Sequence, residues 1–194
     1  MRGHAPCGPT APKACPVRRV LIVAAFVTAL AALFVFGLRP RDPRAVEGRI
    51  GREMPDFVAP VLPRYVDEYG AELRLSDYLN RGQPVVVNVW ASWCKPACWN
   101  EAPRWKAAWE RYQGRVMIIG VNFQDQSSDA EAFVERFDKR FPSVVDPKGR
   151  IGIDWGVFGV PETYFLYPDG TLAYKFSGEI GNDEITHNIE ALLR

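Results

Sequence analysis

Two cysteines, Cys94 and Cys98, stand four positions apart in the stretch NVWASWCKPACWNEAP, residues 88–103. Two thiols about one helical turn apart suit disulfide exchange: one attacks as a thiolate, and the second resolves the mixed disulfide that forms. Lys95 places a cation beside Cys94. The unpaired N–H groups and the dipole of a helix N-terminus also favour a thiolate there. Cys94 is therefore the expected attacking thiol and Cys98 the resolving one. Cys98 lies a turn deeper and shares a face with Ala102 and Trp105, so burial should raise its pKa. The same pair also fits two buried structural thiols, or part of a metal site. Glu101 follows Cys98 by three residues and shares its helical face.

The elements that must hold this pair are legible around it. Pro84–Ala91 (PVVVNVWA) is a short β-branched run, the pattern of a strand buried on both faces. Trp93–Gln113 carries apolar residues at Cys98, Ala102, Trp105, Trp109 and Tyr112, which form one helical face, and Gly114 ends the helix. The cysteines thus sit where a buried strand hands over to a helix. On a regular helix, residues i and i+4 have Cα atoms about 6.2 Å apart, near the top of the disulfide range of roughly 4.4–6.8 Å, so the first turn is expected to unwind or bulge.

Val116–Asn122 reads as a second buried strand. Ser128–Phe141 reads as a helix capped by Ser127 or Ser128, with Phe133, Val134 and Phe137 inward. Thr163–Tyr167 and Leu172–Phe176 flank Pro168-Asp169-Gly170 and form a hairpin of antiparallel edge strands. Asn182 caps a last helix whose inner face carries Ile185, Ile189 and Leu192 or Leu193. Strand, helix and strand make a right-handed βαβ unit. The expected class is α/β, a mixed central sheet with helices on both faces.

Composition sets the wider frame. The 194 residues are 47% hydrophobic and 24% charged, which is globular. Net charge is +1, so nothing global points to nucleic acid. Residues 1–50 carry 8 basic and 2 acidic residues, net +6, which leaves net −5 on residues 51–194. Val20–Leu38 holds 19 residues without a charge, between Arg18-Arg19 and Arg39. About 20 apolar residues span a bilayer core. The expected organisation is a disordered tail over 1–17, an uncleaved transmembrane helix over 18–38, a linker over 39–50 and a catalytic body over 51–194. Cys7 and Cys15 fall in the tail and read as reduced thiols without a special role. Four cysteines are too few for a disulfide-stapled scaffold.

The body, Gly51 to Arg194, resembles the membrane-anchored, thioredoxin-like thiol–disulfide proteins of bacterial cytochrome c maturation, the CcmG/DsbE group related to ResA and TlpA. The resemblance rests on Gly51-Arg52-Glu53-Met54-Pro55-Asp56-Phe57, on Leu75-Ser76-Asp77-Tyr78 and on Val87-Asn88-Val89-Trp90-Ala91-Ser92-Trp93-Cys94. It continues through Cys98, Glu101 and Pro103, Asp146-Pro147-Lys148-Gly149, Trp155-Gly156-Val157 and Gly159-Val160-Pro161-Glu162-Thr163. One departure stands out. The family has two residues between its cysteines, and this chain has Lys95, Pro96 and Ala97.

The resemblance implies a thioredoxin-like fold and a redox-active disulfide between Cys94 and Cys98. It implies that Glu101 assists proton transfer at the buried thiol, with a pKa raised by low dielectric. It implies a cis-proline at Pro161 which, with Val160 and Trp93, helps bind the substrate. Glu162 lends the groove acidity or sits in a solvated loop. The client is apocytochrome c or a maturation protein bearing a CxxC pair, and the electron donor a DsbD- or CcdA-type membrane reductase. The location is the cytoplasmic membrane, single-pass, with the catalytic domain on the periplasmic side. No cofactor and no metal are expected. The competing reading is a Sco-like copper metallochaperone, which shares the anchor, the fold and the C-x-x-x-C spacing. Such proteins add a loop histidine, and thiolates with imidazole suit copper. The only histidine of the body is His187, on the polar side of the last helix.

Overall fold

The computed structural model describes residues 16–37, 49–79 and 81–194. The expected linker falls almost wholly outside these residues, as do Cys7, Cys15 and all but the last two residues of the tail. Those two, Pro16 and Val17, open a helix, α1, that spans Pro16–Gly37. Its described side chains, residues 21–32, are all exposed. Thr28 Oγ1 donates to the Ala24 carbonyl at 2.8 Å, so its hydroxyl is satisfied within the helix. Among the described residues no helix is long and apolar enough to cross a membrane.

The body is built on a five-stranded sheet in the order β5-β4-β3-β6-β7. Its strands are β3 (Val85–Trp90), β4 (Met117–Phe123), β5 (Ser143–Asp146), β6 (Glu162–Leu166) and β7 (Leu172–Ser177). A two-stranded antiparallel ribbon precedes it, formed by β1 (Val58–Pro60) and β2 (Glu72–Arg74), with the single-turn helix α2 (Val66–Tyr69) between them. β3 and β4 run parallel, with Val85 opposite Met117 and Trp90 opposite Asn122. β4 and β5 are also parallel, whereas β6 pairs antiparallel with both β3 and β7. All six residues of β3 are buried, as its unbroken apolar run requires of a central strand.

Strand alternation assigns the layers. Val86, Asn88 and Trp90 point to one face. There Val86 packs with Trp105 and Tyr112 of α3 (Ala97–Tyr112) and with Ile185 and Ile189 of α6 (Asn182–Leu192). Trp90 stacks at 4.7 Å on Phe133 of α4 (Ser127–Arg136). On the other face Tyr164, opposite Val87, meets Trp155 of α5 (Arg150–Trp155) edge-on at 5.0 Å. Trp155 in turn meets Phe57 at 5.8 Å. The sheet is therefore mixed and covered on both sides, as expected.

Several boundaries differ from the sequence reading. The helix after β3 begins at Ala97, because Pro96 occupies its N-cap and residues 91–96 form turns. α4 stops at Arg136, before a positive φ of 46° at Asp138, and its N-cap is Gln126 rather than a serine. Gly181, not Asn182, caps α6. β6 is not an edge strand, because the chain returns between β3 and β7. β5 and α5 have no counterpart in the sequence reading; their four and six residues are too short for a readable period.

Candidate active site

Parallel pairing of β3 with β4 brings their C-terminal ends to one edge, and the turn carrying Cys94 leaves from there. Asp125, just past β4, fastens it. Its carboxylate accepts from Ser92 N at 2.6 Å, Ser92 Oγ at 2.7 Å, Asn122 Nδ2 at 2.8 Å and Gln126 N at 2.9 Å. Two indoles add struts: Trp93 Nε1 donates to the Gln124 carbonyl at 3.0 Å, and Trp99 Nε1 to the Ser92 carbonyl at 2.8 Å. Trp93 nevertheless leaves 55% of its surface exposed, on the rim of the site.

Cys94 and Cys98 form a disulfide with Cα atoms 5.4 Å apart. This lies near the middle of the usual range, not at its top. The first turn is unwound, as the spacing required, and Cys94 precedes α3. The turn is closed by Cys98 N donating to the Cys94 carbonyl at 3.1 Å. Cys98 is 1% exposed and Cys94 7%, so the attacking thiol expected at an open edge is itself largely covered. Cys94 Sγ lies 3.4 Å from the Val160 carbonyl. The Val160–Pro161 bond is cis, as the resemblance implied, and so is Lys95–Pro96. The cysteines, Val160 and Pro161 thus come together, with Trp93 at their margin.

Glu101 lies beneath, in α3, and is 1% exposed. Its carboxylate accepts from Asn88 Nδ2 at 3.0 Å and from Ile180 N at 3.4 Å. Burial raises its pKa to about 7, against the opposing pull of these hydrogen bonds and of Lys139. Such a group titrates where thiol exchange operates and can take or give a proton near neutrality. Asn88 and Lys139 were not singled out from the sequence. The hydrophobic run around Asn88 hides its partnership with Glu101. Lys139, in Asp138-Lys139-Arg140, looks like part of a solvated charge cluster, yet it is 2% exposed. Its Nζ lies 3.9 Å from the Trp90 ring centre and 4.5 Å from that of Phe141. Burial holds its pKa well below the usual lysine value.

Glu162 corrects both of its expected settings. It is neither in a solvated loop nor lining a groove, but begins β6 at 3% exposure. It pairs with Lys175 Nζ at 2.7 Å, both side chains buried, and accepts from Tyr164 Oη at 2.8 Å. A carboxylate taken out of water needs hydrogen-bonding partners such as these.

With this geometry in view, comparison with known proteins is specific. The AhpC/TSA family model matches residues 50–175. The thiol:disulfide interchange protein DsbE of Allochromatium vinosum is 36% identical over 166 residues, 84% of this chain and 86% of that one. HelX of Rhodobacter capsulatus, also a thiol:disulfide interchange protein, is 32% identical over 177 residues, 90% of this chain and 92% of its own. Among solved structures, a putative DsbE from Chlorobium tepidum superposes with a TM-score of 0.65 at 26% identity, over 75% of this chain and 98% of that one. A thioredoxin-like α/β sheet that presents a disulfide-bonded cysteine pair, found alongside these relatives, makes the chain a thiol–disulfide oxidoreductase, and it belongs to the AhpC/TSA family among the DsbE-type thiol:disulfide interchange proteins.

Proposed function

We propose that this oxidoreductase works as a reductant in cytochrome c maturation, on the outer side of the cytoplasmic membrane. The observation that carries the reading is the placement of the two thiols. Cys94, in the turn before α3, lies 3.4 Å from the Val160 carbonyl, and Cys98 lies within α3, the helix that carries Glu101. In the reduced protein the Cys94 thiolate attacks one sulfur of a client disulfide. The client's other sulfur leaves as a thiolate and takes up a proton. Cys98, its proton passed to Glu101, then attacks Cys94 Sγ. The second client thiol is released, and the Cys94–Cys98 disulfide remains. Two electrons pass to the client in all. A DsbD- or CcdA-type membrane reductase returns them. Trp93, Val160 and Pro161 line the client's path, and apocytochrome c or a maturation protein with a CxxC pair supplies the disulfide. The equilibrium potential of the Cys94–Cys98 couple tests the direction. A value below about −200 mV supports a reductant, by comparison with thioredoxin-like proteins, and a higher one overturns it.

The body, residues 51–194, is held at the membrane by an uncleaved single helix over residues 18–38. The charge-free run Val20–Leu38 between Arg18-Arg19 and Arg39 supports this reading. N-terminal sequencing of the mature protein should find residues 1–30 retained. A start between Leu30 and Phe34 would mean a cleaved signal instead.

A further inference from the structure

Beside the cysteine turn lies a cleft of about 520 Å³, lined among others by Trp93, Lys95, Trp99, Asp129, Phe133 and Arg136. Val160 and Pro161 are not part of its lining. Its centre is one indole shared by two cations. Lys95 Nζ lies 4.0 Å from the Trp99 ring centre, and Arg136 Cζ lies 5.0 Å from it. Phe133 and Phe137 pack edge-on against the same ring at 5.8 and 5.3 Å, and the Ser92 carbonyl accepts its N–H, so the ring is fixed in place. Lys95 and Arg136 are both exposed. Asp129 is the one carboxylate in the lining, which leaves the cleft net positive on a body of net charge −5. Beyond the charge that Lys95 lends the Cys94 thiolate and the place of Trp93 on the client's path, the disulfide-exchange chemistry does not use this arrangement. Two like charges gathered at one ring repel each other, and an anion bound beside them weakens that repulsion.

The position names the occupant. Lys95 follows Cys94 directly, so a polypeptide joined to Cys94 Sγ has its neighbouring residues within reach of the cleft. An extended segment advances about 3.3 Å per residue, so side chains two to four positions from its cysteine can enter. We propose that this cleft is a specificity subsite that takes an acidic side chain of the client, two to four residues from the client's reacting cysteine. The proposal rests on the reductant reading above. The exposed part of Trp93 receives the apolar stem of that side chain, and Lys95 and Arg136 its carboxylate.

The test uses the full-length reduced protein and synthetic peptides with an internal Cys-x-x-Cys disulfide. The peptides carry Glu, Gln or Lys three residues before or after the pair. The expected result is a second-order exchange rate about tenfold higher for Glu than for Lys in one of the two flank series at low salt, a gap that shrinks near 0.5 M salt. Arg136→Glu should invert that ratio, and Arg136→Gln should bring it close to one. Because each variant is read as a ratio between peptides, a change in its overall activity does not enter. If Arg136→Glu fails to fold, Arg136→Gln supplies the ratio. Equal rates for the Glu and Lys peptides, or a ratio unmoved by both variants, overturn the subsite. Failure to reduce any peptide would instead overturn the reductant reading. Arg136-dependent retention on phosphatidylglycerol–phosphatidylcholine vesicles, with no discrimination between peptides, would make the cleft a lipid contact and overturn the proposal.

Discussion

Cys98→Ser should accumulate a mixed disulfide with client polypeptide through Cys94, whereas Cys94→Ser should accumulate none and lose exchange activity on the order of 10³-fold or more. The asymmetry follows from where the two sulfurs sit. Cys94 lies in the turn before α3, where the unpaired N–H groups of the helix favour a thiolate. Its Sγ lies 3.4 Å from the Val160 carbonyl. Cys98 is inside the helix, 1% exposed, and a client sulfur cannot reach it without displacing the turn. Serine is close to cysteine in size, so the core around residue 98 survives at a cost of about 1–2 kcal/mol for the buried hydroxyl. Non-reducing electrophoresis and mass spectrometry of the trapped species read the result. A complex linked through Cys98 in the Cys94→Ser protein would reverse the assignment.

The parts of this site written in strong local patterns were legible from sequence. β3 announced itself because six consecutive residues are buried, leaving no polar face to break the run. The apolar positions of α3 placed Cys98, Ala102 and Trp105 inward, and all three are buried. What was illegible depends on contacts distant in sequence. Asp125 acts on Ser92 across 33 residues, through loops that meet only because β3 and β4 are parallel neighbours. Lys139 follows α4 and approaches Glu101 only when Trp90 and Phe141 enclose it. β6 looked like an edge because hairpins usually are, and its central place comes from the antiparallel pairing with β3. The spacing of the cysteines required the first turn to unwind, and it does: Pro96 starts the helix only after Cys94.

Glu101→Gln should make the protein more stable and slower at once, and both effects should depend on pH. Burial lifts the folded-state pKa of Glu101 from an ordinary 4.5 to about 7. Between these values the folded protein binds a proton that the unfolded chain has released. Stability is therefore full below about pH 4.5 and falls as pH rises towards 7. A gap of some 2.5 pKa units corresponds to about 3 kcal/mol lost by pH 8. Glutamine carries no charge to desolvate and still accepts from Asn88 Nδ2. It gives up the second acceptor, which now meets Ile180 N, at a cost of about 1 kcal/mol. The variant should thus gain about 2 kcal/mol at pH 8 and lose about 1 kcal/mol at pH 4. Denaturant unfolding at the two pH values, taken as the difference from wild type, cancels groups not coupled to Glu101. Catalysis should move the other way. Glutamine cannot take the Cys98 proton, so resolution of the mixed disulfide at pH 7 should slow about 10²-fold. The wild-type resolving rate should rise through an inflection near pH 7 that the variant lacks. Equal pH profiles in the two proteins would remove Glu101 from the proton path, and a variant less stable at pH 8 would show that its carboxylate is held there by more than burial opposes.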